Sequence, residues 1–132
     1  IIERTSSMTS NIIVDFHGGT TSEIQAMQWH LAGRVSAVLG TNLKILTSDN
    51  RIVKDRTAII TGTGICGSSG SIGGLQKEIE IKKIMKGQFM YSKIENNSTV
   101  LEGVIVEIDE STGNALSIEL FRQDIGQINN NK

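Results

Sequence analysis

Apolar and polar positions follow several different periods along this chain, and the periods predict its elements. Ile12, Ile13 and Val14 form a continuous branched-aliphatic run, the pattern of a strand buried on both faces. Gly18 and Gly19 then free the backbone to turn, and Thr20 followed by Glu23 is a capping box that opens a helix. Ile24, Met27 and Leu31 share one face of that helix, and Gly33 stands where a helix C-cap belongs. Residues 35–39 are a second apolar run, stopped by Gly40 and Thr41. Strand, helix and strand across residues 12–40 predict a βαβ unit with parallel, right-handed pairing.

The remainder is less regular. Residues 1–11 are small and polar and read as a loop or frayed helix end. Residues 42–51 form a loop with a short apolar insert, and residues 57–61 are a third strand. The glycine-rich stretch 62–74 contains Gly62, Gly64 and Gly67 in a G-x-G-x-x-G spacing directly after that strand. A dinucleotide-binding reading fails because the next helical pattern starts only near Leu75, so no helix N-terminus opens within the motif; no Walker lysine follows either. A flexible surface loop is the better reading. Residues 75–86 are rich in lysine and glutamate and predict a helix, although Ile79-Glu80-Ile81 alternates like a strand. Residues 88–94 read as a strand. A hairpin closes the pattern, with Val104, Val106 and Ile108 on one arm, Leu116, Ile118 and Leu120 on the other, and residues 109–114 as its turn. Glu107 and Glu119 mark its solvated face. Residues 126–132, polar and rich in asparagine, read as a disordered tail.

Composition narrows the function. A chain of 132 residues holds one small domain or part of a larger one, not two. A formal charge of −1 with both signs interspersed lacks the footprint of a nucleic-acid binder. There is neither an apolar run long enough to span a bilayer nor a signal-peptide pattern, so no membrane partner is expected. The single cysteine, Cys66, cannot form an internal disulfide, which points to a reducing cytoplasm. The chain starts Ile1-Ile2 without an initiator methionine and has no proline, features expected of a processed or truncated piece of something longer.

Asp15 and His17 carry the candidate chemistry. They fall at the C-terminal edge of the first strand, where the positive end of the next helix also faces. A carboxylate, an imidazole and a helix N-terminus at one point suit a metal or an anion. The other reading, preferred on periodicity alone, is a buried Asp and His that satisfy backbone donors at a turn. Trp29 and His30 flank the apolar helix stripe, and Trp29 is expected to pack.

An ordered series of motifs adds a resemblance. Val14-Asp15-Phe16-His17, Thr21-Ser22-Glu23, the run from Leu31 through Gly33-Arg34-Val35-Ser36-Ala37-Val38 to Gly40-Thr41, Thr61-Gly62-Thr63-Gly64, and Gly103 through Asp109 to Gly113 resemble, in this order, the C-terminal half of the YmdB-type bacterial metallophosphoesterases of the calcineurin-like superfamily. The resemblance implies an α/β fold, part of a two-sheet sandwich flanked by helices, occupying residues 12–125. It also implies two metal ions that generate a hydroxide and neutralise a phosphodiester. Carried over residue by residue, one metal-ligating histidine matches His17. The family's G-T-H-T-H reads Gly40-Thr41-Asn42-Leu43-Lys44 here, with Asn42 and Lys44 at the two histidine positions. Asn42 would offer a weak carbonyl oxygen and Lys44 a cation where a cation should bind. Gly19 and Gly62 stand where the family has acidic residues. The resemblance thus implies a degenerate site at Gly19, Asn42, Lys44 and Gly62 with His17 retained.

Two functions follow from it. The first is a non-catalytic metallophosphoesterase-like protein that serves as a binding, regulatory or assembly subunit. The alternative is a fragment of an active or weakened metal-dependent phosphodiesterase acting on cyclic nucleotides or other phosphodiesters, with manganese or iron bound only if a missing N-terminal half completes the shell. Either way the expected partners are that missing half or other protein subunits, in an oligomer.

Overall fold

The computed structural model describes residues 1–126, so most of the expected tail lies outside the described residues. In chain order the elements are α1 (Ile2–Ser6), β1 (Ile13–His17), α2 (Thr21–Leu31), β2 (Ala37–Thr41), β3 (Arg51–Val53), β4 (Thr57–Ile60), β5 (Cys66–Ser68), α3 (Lys77–Lys86), β6 (Thr99–Ile108) and β7 (Ala115–Gly126). Four strands make one sheet in the order β1-β2-β4-β3, and three make a second in the order β5-β6-β7. β1, β2 and β4 run parallel, as the βαβ pattern predicts, and β3 closes the sheet antiparallel.

Alternation along the strands of the first sheet builds a three-layer stack. Val38, Val53 and Ile59 point to one face and pack with Ile12, Leu31, Ala32 and Val35 beneath α2. Ala37, Ala58 and Ile60 point to the other face and pack with Ala115 and Ile118 of the hairpin. Both faces of β2 and β4 are therefore buried, which is why they read as unbroken apolar runs. The result is an α/β fold of two packed sheets with α2 on the outer face.

α2 begins as its capping box dictates. Thr20 Oγ1 accepts the Glu23 N–H at 3.2 Å, and Glu23 Oε2 reaches back to accept the Gly19 N–H at 2.7 Å. The helix buries Ile24, Gln28 and Leu31, a stripe at i, i+4 and i+7, and Gly33 takes φ +81° just beyond its end. Gln28 was not part of the expected stripe; it is fully buried, with both amide atoms lacking a partner among the described residues.

Several expectations are corrected. β1 is not buried on both faces: it is an edge strand, and Ile13 is 58% exposed. The hairpin strand β7 packs mainly on β3 and β4, with Ala37 of β2 in the same cluster, and this face is left open at β1, where Ile13 is exposed. Gly40 and Thr41 do not stop β2 but belong to it, because a Cβ on Gly40 would stand 2.0 Å from the Thr61 carbonyl and only glycine lets β2 pass β4's end this closely. Trp29 is 54% exposed and is not packed; the Arg51 guanidinium lies 6.0 Å from its ring centroid. Residues 88–94 are not a strand, since only Ile94 finds a bridge partner, Leu75. Residues 1–11, expected as a loop or frayed helix end, hold the one-turn helix α1. β3 and β5, three residues each, are too short to show a period. A bulge opposite the Glu107/Ile108 step places Ala115 in the core and turns Leu116 outward, reversing the expected inward position of Leu116. β7 includes Gly126, one residue beyond the expected domain end. No helix among the described residues is long and apolar enough to cross a membrane.

Candidate functional site

The register Ile13↔Ala37, Asp15↔Leu39 and His17↔Thr41 puts Ile13, Asp15 and His17 on one face of β1, the face left open by the hairpin. Asp15 and His17 are therefore exposed and are not the buried, turn-satisfying pair that periodicity favours. Asp15 Oδ1 accepts the Thr41 hydroxyl at 2.8 Å, an interaction between the ends of β1 and β2. The positive end of α2 does not wait there for an anion. Glu23 already presents its carboxylate to the Gly19 amide, so an incoming anion would meet a negative charge.

The four positions of the degenerate site divide between two surroundings. Asn42, at φ +83°, donates its Nδ2–H to the Gly18 carbonyl at 3.1 Å and so ties the loop after β2 to the turn after His17. Lys44, at φ +56°, turns the other way, and its Nζ donates to the Gly73 carbonyl in the glycine-rich loop at 3.4 Å. Gly19 has room for a side chain, which would make ordinary contact with Glu23 Oε2 at 3.4 Å. Gly62 has none: a Cβ would lie 2.6 Å from the Ile45 carbonyl. Thr47 closes that approach by donating its N–H to Gly62 O at 3.0 Å and accepting the Gly62 N–H at 2.9 Å. An aspartate at position 62 would require the 45–47 segment to move away.

These donors do not fit a dinuclear metal centre. The set holds one imidazole, one amide that offers only a weak carbonyl oxygen, and an ammonium that would repel a divalent ion. Among the described residues no group of three or more His, Cys, Asp and Glu comes together.

One polar cluster was not expected from the sequence. Asp49 Oδ1 accepts the Thr47 hydroxyl at 2.6 Å and the Thr61 N–H at 3.1 Å, and Asp49 Oδ2 accepts the Thr61 hydroxyl. Burial pushes this carboxyl up, but the hydrogen bonds from Thr47 and Thr61 outweigh it and hold the pKa below the usual carboxylate value. The only signal in the sequence is Thr47-Ser48-Asp49, a local turn pattern that gives no hint of Thr61. Beyond this cluster the glycine-rich loop frames an open cavity of about 630 Å³, lined by Lys44, Ile65, Cys66, Ser68, Ile94 and Thr99 among others.

Known proteins share this fold. The family described as YmdB-like protein matches residues 1–121. The chain is 37% identical over 119 residues to the Bacillus subtilis 2′,3′-cyclic-nucleotide 2′-phosphodiesterase, covering 90% of this chain and 45% of that protein. A solved structure described as a novel phosphatase of Mycoplasma pneumoniae superposes with a TM-score of 0.84 at 28% identity, covering 96% of this chain and 47% of that one. A hypothetical protein of Thermus thermophilus, at 22% identity and a TM-score of 0.82, shares the fold; 93% of this chain and 50% of that one are covered. The chain thus spans about half the length of the relatives it matches. Matched by family over residues 1–121 and alike in both sequence and fold, it belongs to the YmdB-like protein family.

Proposed function

We propose that this chain is a non-catalytic half of a YmdB-like phosphoesterase scaffold, acting through protein association and not as a dinuclear phosphodiesterase. The observation that carries this reading is Lys44. It puts an ammonium at a position where the family resemblance implies a ligating histidine, while Asn42 at the other such position offers only a weak carbonyl oxygen. A missing ligand weakens a metal site; a cation in its place adds repulsion.

The apolar surface supports the association. Ile84, Met85, Phe89 and Tyr91 are 80%, 81%, 85% and 84% exposed, and α3 buries no residue at all. The occupant we assign is the remaining half of a YmdB-like fold, because the Mycoplasma pneumoniae structure carries as much chain again beyond the part that superposes. A cytoplasmic location follows as part of the same proposal, from the lone exposed thiol Cys66.

Metal content and turnover test the reading together. Protein loaded with manganese or iron and then desalted should retain no stoichiometric metal and should not hydrolyse a chromogenic phosphodiester or a 2′,3′-cyclic nucleotide. Two equivalents of metal per chain would end it.

A second reading is favoured by the Bacillus subtilis relative, whose name is that of a phosphodiesterase. In it the chain belongs to a working or weakened metal-dependent enzyme once the other half is supplied. Asn42→His with Lys44→His separates the two: if the site is degenerate, the pair should raise metal affinity and turnover of the completed protein, and either change alone should do much less. Indifference to the double change would show that positions 42 and 44 are not ligand positions.

A further inference from the structure

We propose that Lys44 and the glycine-rich loop form a metal-independent site for a small organic phosphate. Lys44 lines both the cavity of about 630 Å³ and a smaller one of about 310 Å³ that shares Ile65, Ser68 and Gly73 with it. Its side-chain hydrogen bond among the described residues is the long 3.4 Å one to the Gly73 carbonyl, and the ion pairs among those residues are Arg51–Asp49, Lys83–Glu80 and Arg122–Glu102. Its charge is therefore not met by a carboxylate there.

The two carboxylates on the walls are already committed. Glu102 pairs with Arg122 Nη1 at 2.7 Å and accepts the Ile65 N–H at 3.2 Å. Glu95 Oε1 accepts the N–H groups of Asn96 and Asn97 at 3.0 and 3.1 Å and the Asn97 side-chain amide at 2.9 Å. Lys44 is thus the cation left to receive an anion. A hydroxyl donor stands with it: Ser68 is 3% exposed and lines both cavities, its Oγ accepts the Gly70 N–H at 3.2 Å, and its own proton has no acceptor among the described residues. An ammonium and a hydroxyl donor are the chemistry that holds a phosphate oxygen.

Size and wall character argue for more than inorganic phosphate. The larger cavity falls in the range of small-molecule sites, roughly 300–1,000 Å³. Ile65 and Ile94 give it an apolar wall, and Ile94 is 71% exposed, so an organic body carried by the phosphate would cover it. Lys44 holds a left-handed backbone, φ +56°, that a non-glycine residue seldom adopts, and Gly73 leaves 3.5 Å between the Lys44 stem and where a Cβ would be. The site rests on the preceding reading in one respect, that no divalent cation is required.

Equilibrium dialysis of the whole chain in excess EDTA, against inorganic phosphate and against adenosine 5′-monophosphate, tests it. The nucleotide should bind about tenfold or more tightly than phosphate and lose at least that factor in Lys44→Gln. Lys44→Arg should retain binding, as should Lys82→Gln, a control on α3. Ile94→Glu, at an exposed position, should weaken nucleotide binding and serves if Lys44→Gln fails to fold. No binding of either probe, or affinity unchanged in Lys44→Gln or Ile94→Glu, overturns the site and leaves the non-catalytic reading standing. Equal affinity for phosphate and nucleotide overturns the organic ligand. Binding that appears only with manganese overturns both proposals.

Discussion

Asp49 shows how one side chain sets the shape of the loop that carries Asn42 and Lys44. It fastens that loop to the end of β4 through Thr47 and Thr61, and Arg51 Nη1 stands 3.9 Å away. Its folded pKa lies below the unfolded value of about 3.9, so the carboxylate contributes stability that is complete above that value and is lost as pH falls through the lower folded pKa. The difference in urea stability between the wild type and Asp49→Asn should therefore be constant from about pH 7 to about pH 5 and shrink below about pH 4. A difference that persists unchanged at about pH 2 would mean that the carboxylate charge does not hold the loop. The contribution was not visible in the sequence because Thr61 lies on the far side of two intervening strands, and nothing local to Asp49 announces it.

At the scale of elements, β2 depends on glycine for a reason that strand patterns cannot carry. A Cβ on Gly40 would meet the Thr61 carbonyl and, at 2.7 Å, Ile24 Cγ2, so its missing side chain is what allows β2, β4 and α2 to come together at the open end of the sheet. Gly40→Ala should cost about 3 kcal/mol in denaturant unfolding. Gly103→Ala, in β6 with nothing within 4 Å of the added carbon, should be neutral or stabilise by a few tenths of a kcal/mol, roughly. Equal costs would mean that backbone strain and not close approach explains Gly40. By contrast, α2 was legible: its start lies in Thr20 and Glu23, its buried stripe in Ile24 and Leu31 and its end in Gly33, all of them local signals. α3 was legible from the lysine- and glutamate-rich composition of residues 75–86, and Gly87 at φ +59° caps its last turn, but its lack of any buried face could not be foreseen.

For the molecule as a whole, surface is in excess. A compact monomer of 14.3 kDa exposes about 6,800 Å² by the usual scaling, and this chain exposes 8586 Å². The excess includes apolar surface on α3 and on the stretch after it, where Phe89 and Tyr91 contact one another edge to face at 5.2 Å between ring centroids and Lys83 reaches Ser92. β1 adds an open strand edge bearing Ile13. Left without the other half of the fold, the chain should self-associate, and sedimentation at micromolar concentration should show species above the monomer whose share grows with concentration. A compact monomer with a melt independent of concentration would refute this and the assignment of a missing half as occupant.

The residues themselves specify what depends on neighbours in sequence. The βαβ order of β1, α2 and β2, the hairpin of β6 and β7 and the identity of the family follow from capping, alternation and motif order, because each of these is written within a dozen or so residues. The resemblance also picks out His17, Asn42, Lys44, Gly19 and Gly62 as one site. Packing decides what each of them touches. Asn42 joins the His17 turn, Lys44 crosses to the glycine-rich loop, and Gly62 is sealed beneath Ile45, because loops take their course from the strands they bridge and from distant acceptors such as Gly18 and Gly73. Likewise Ile13 reads as core in any window of sequence, and it stands in the open because the hairpin covers β3 and β4 and stops short of β1.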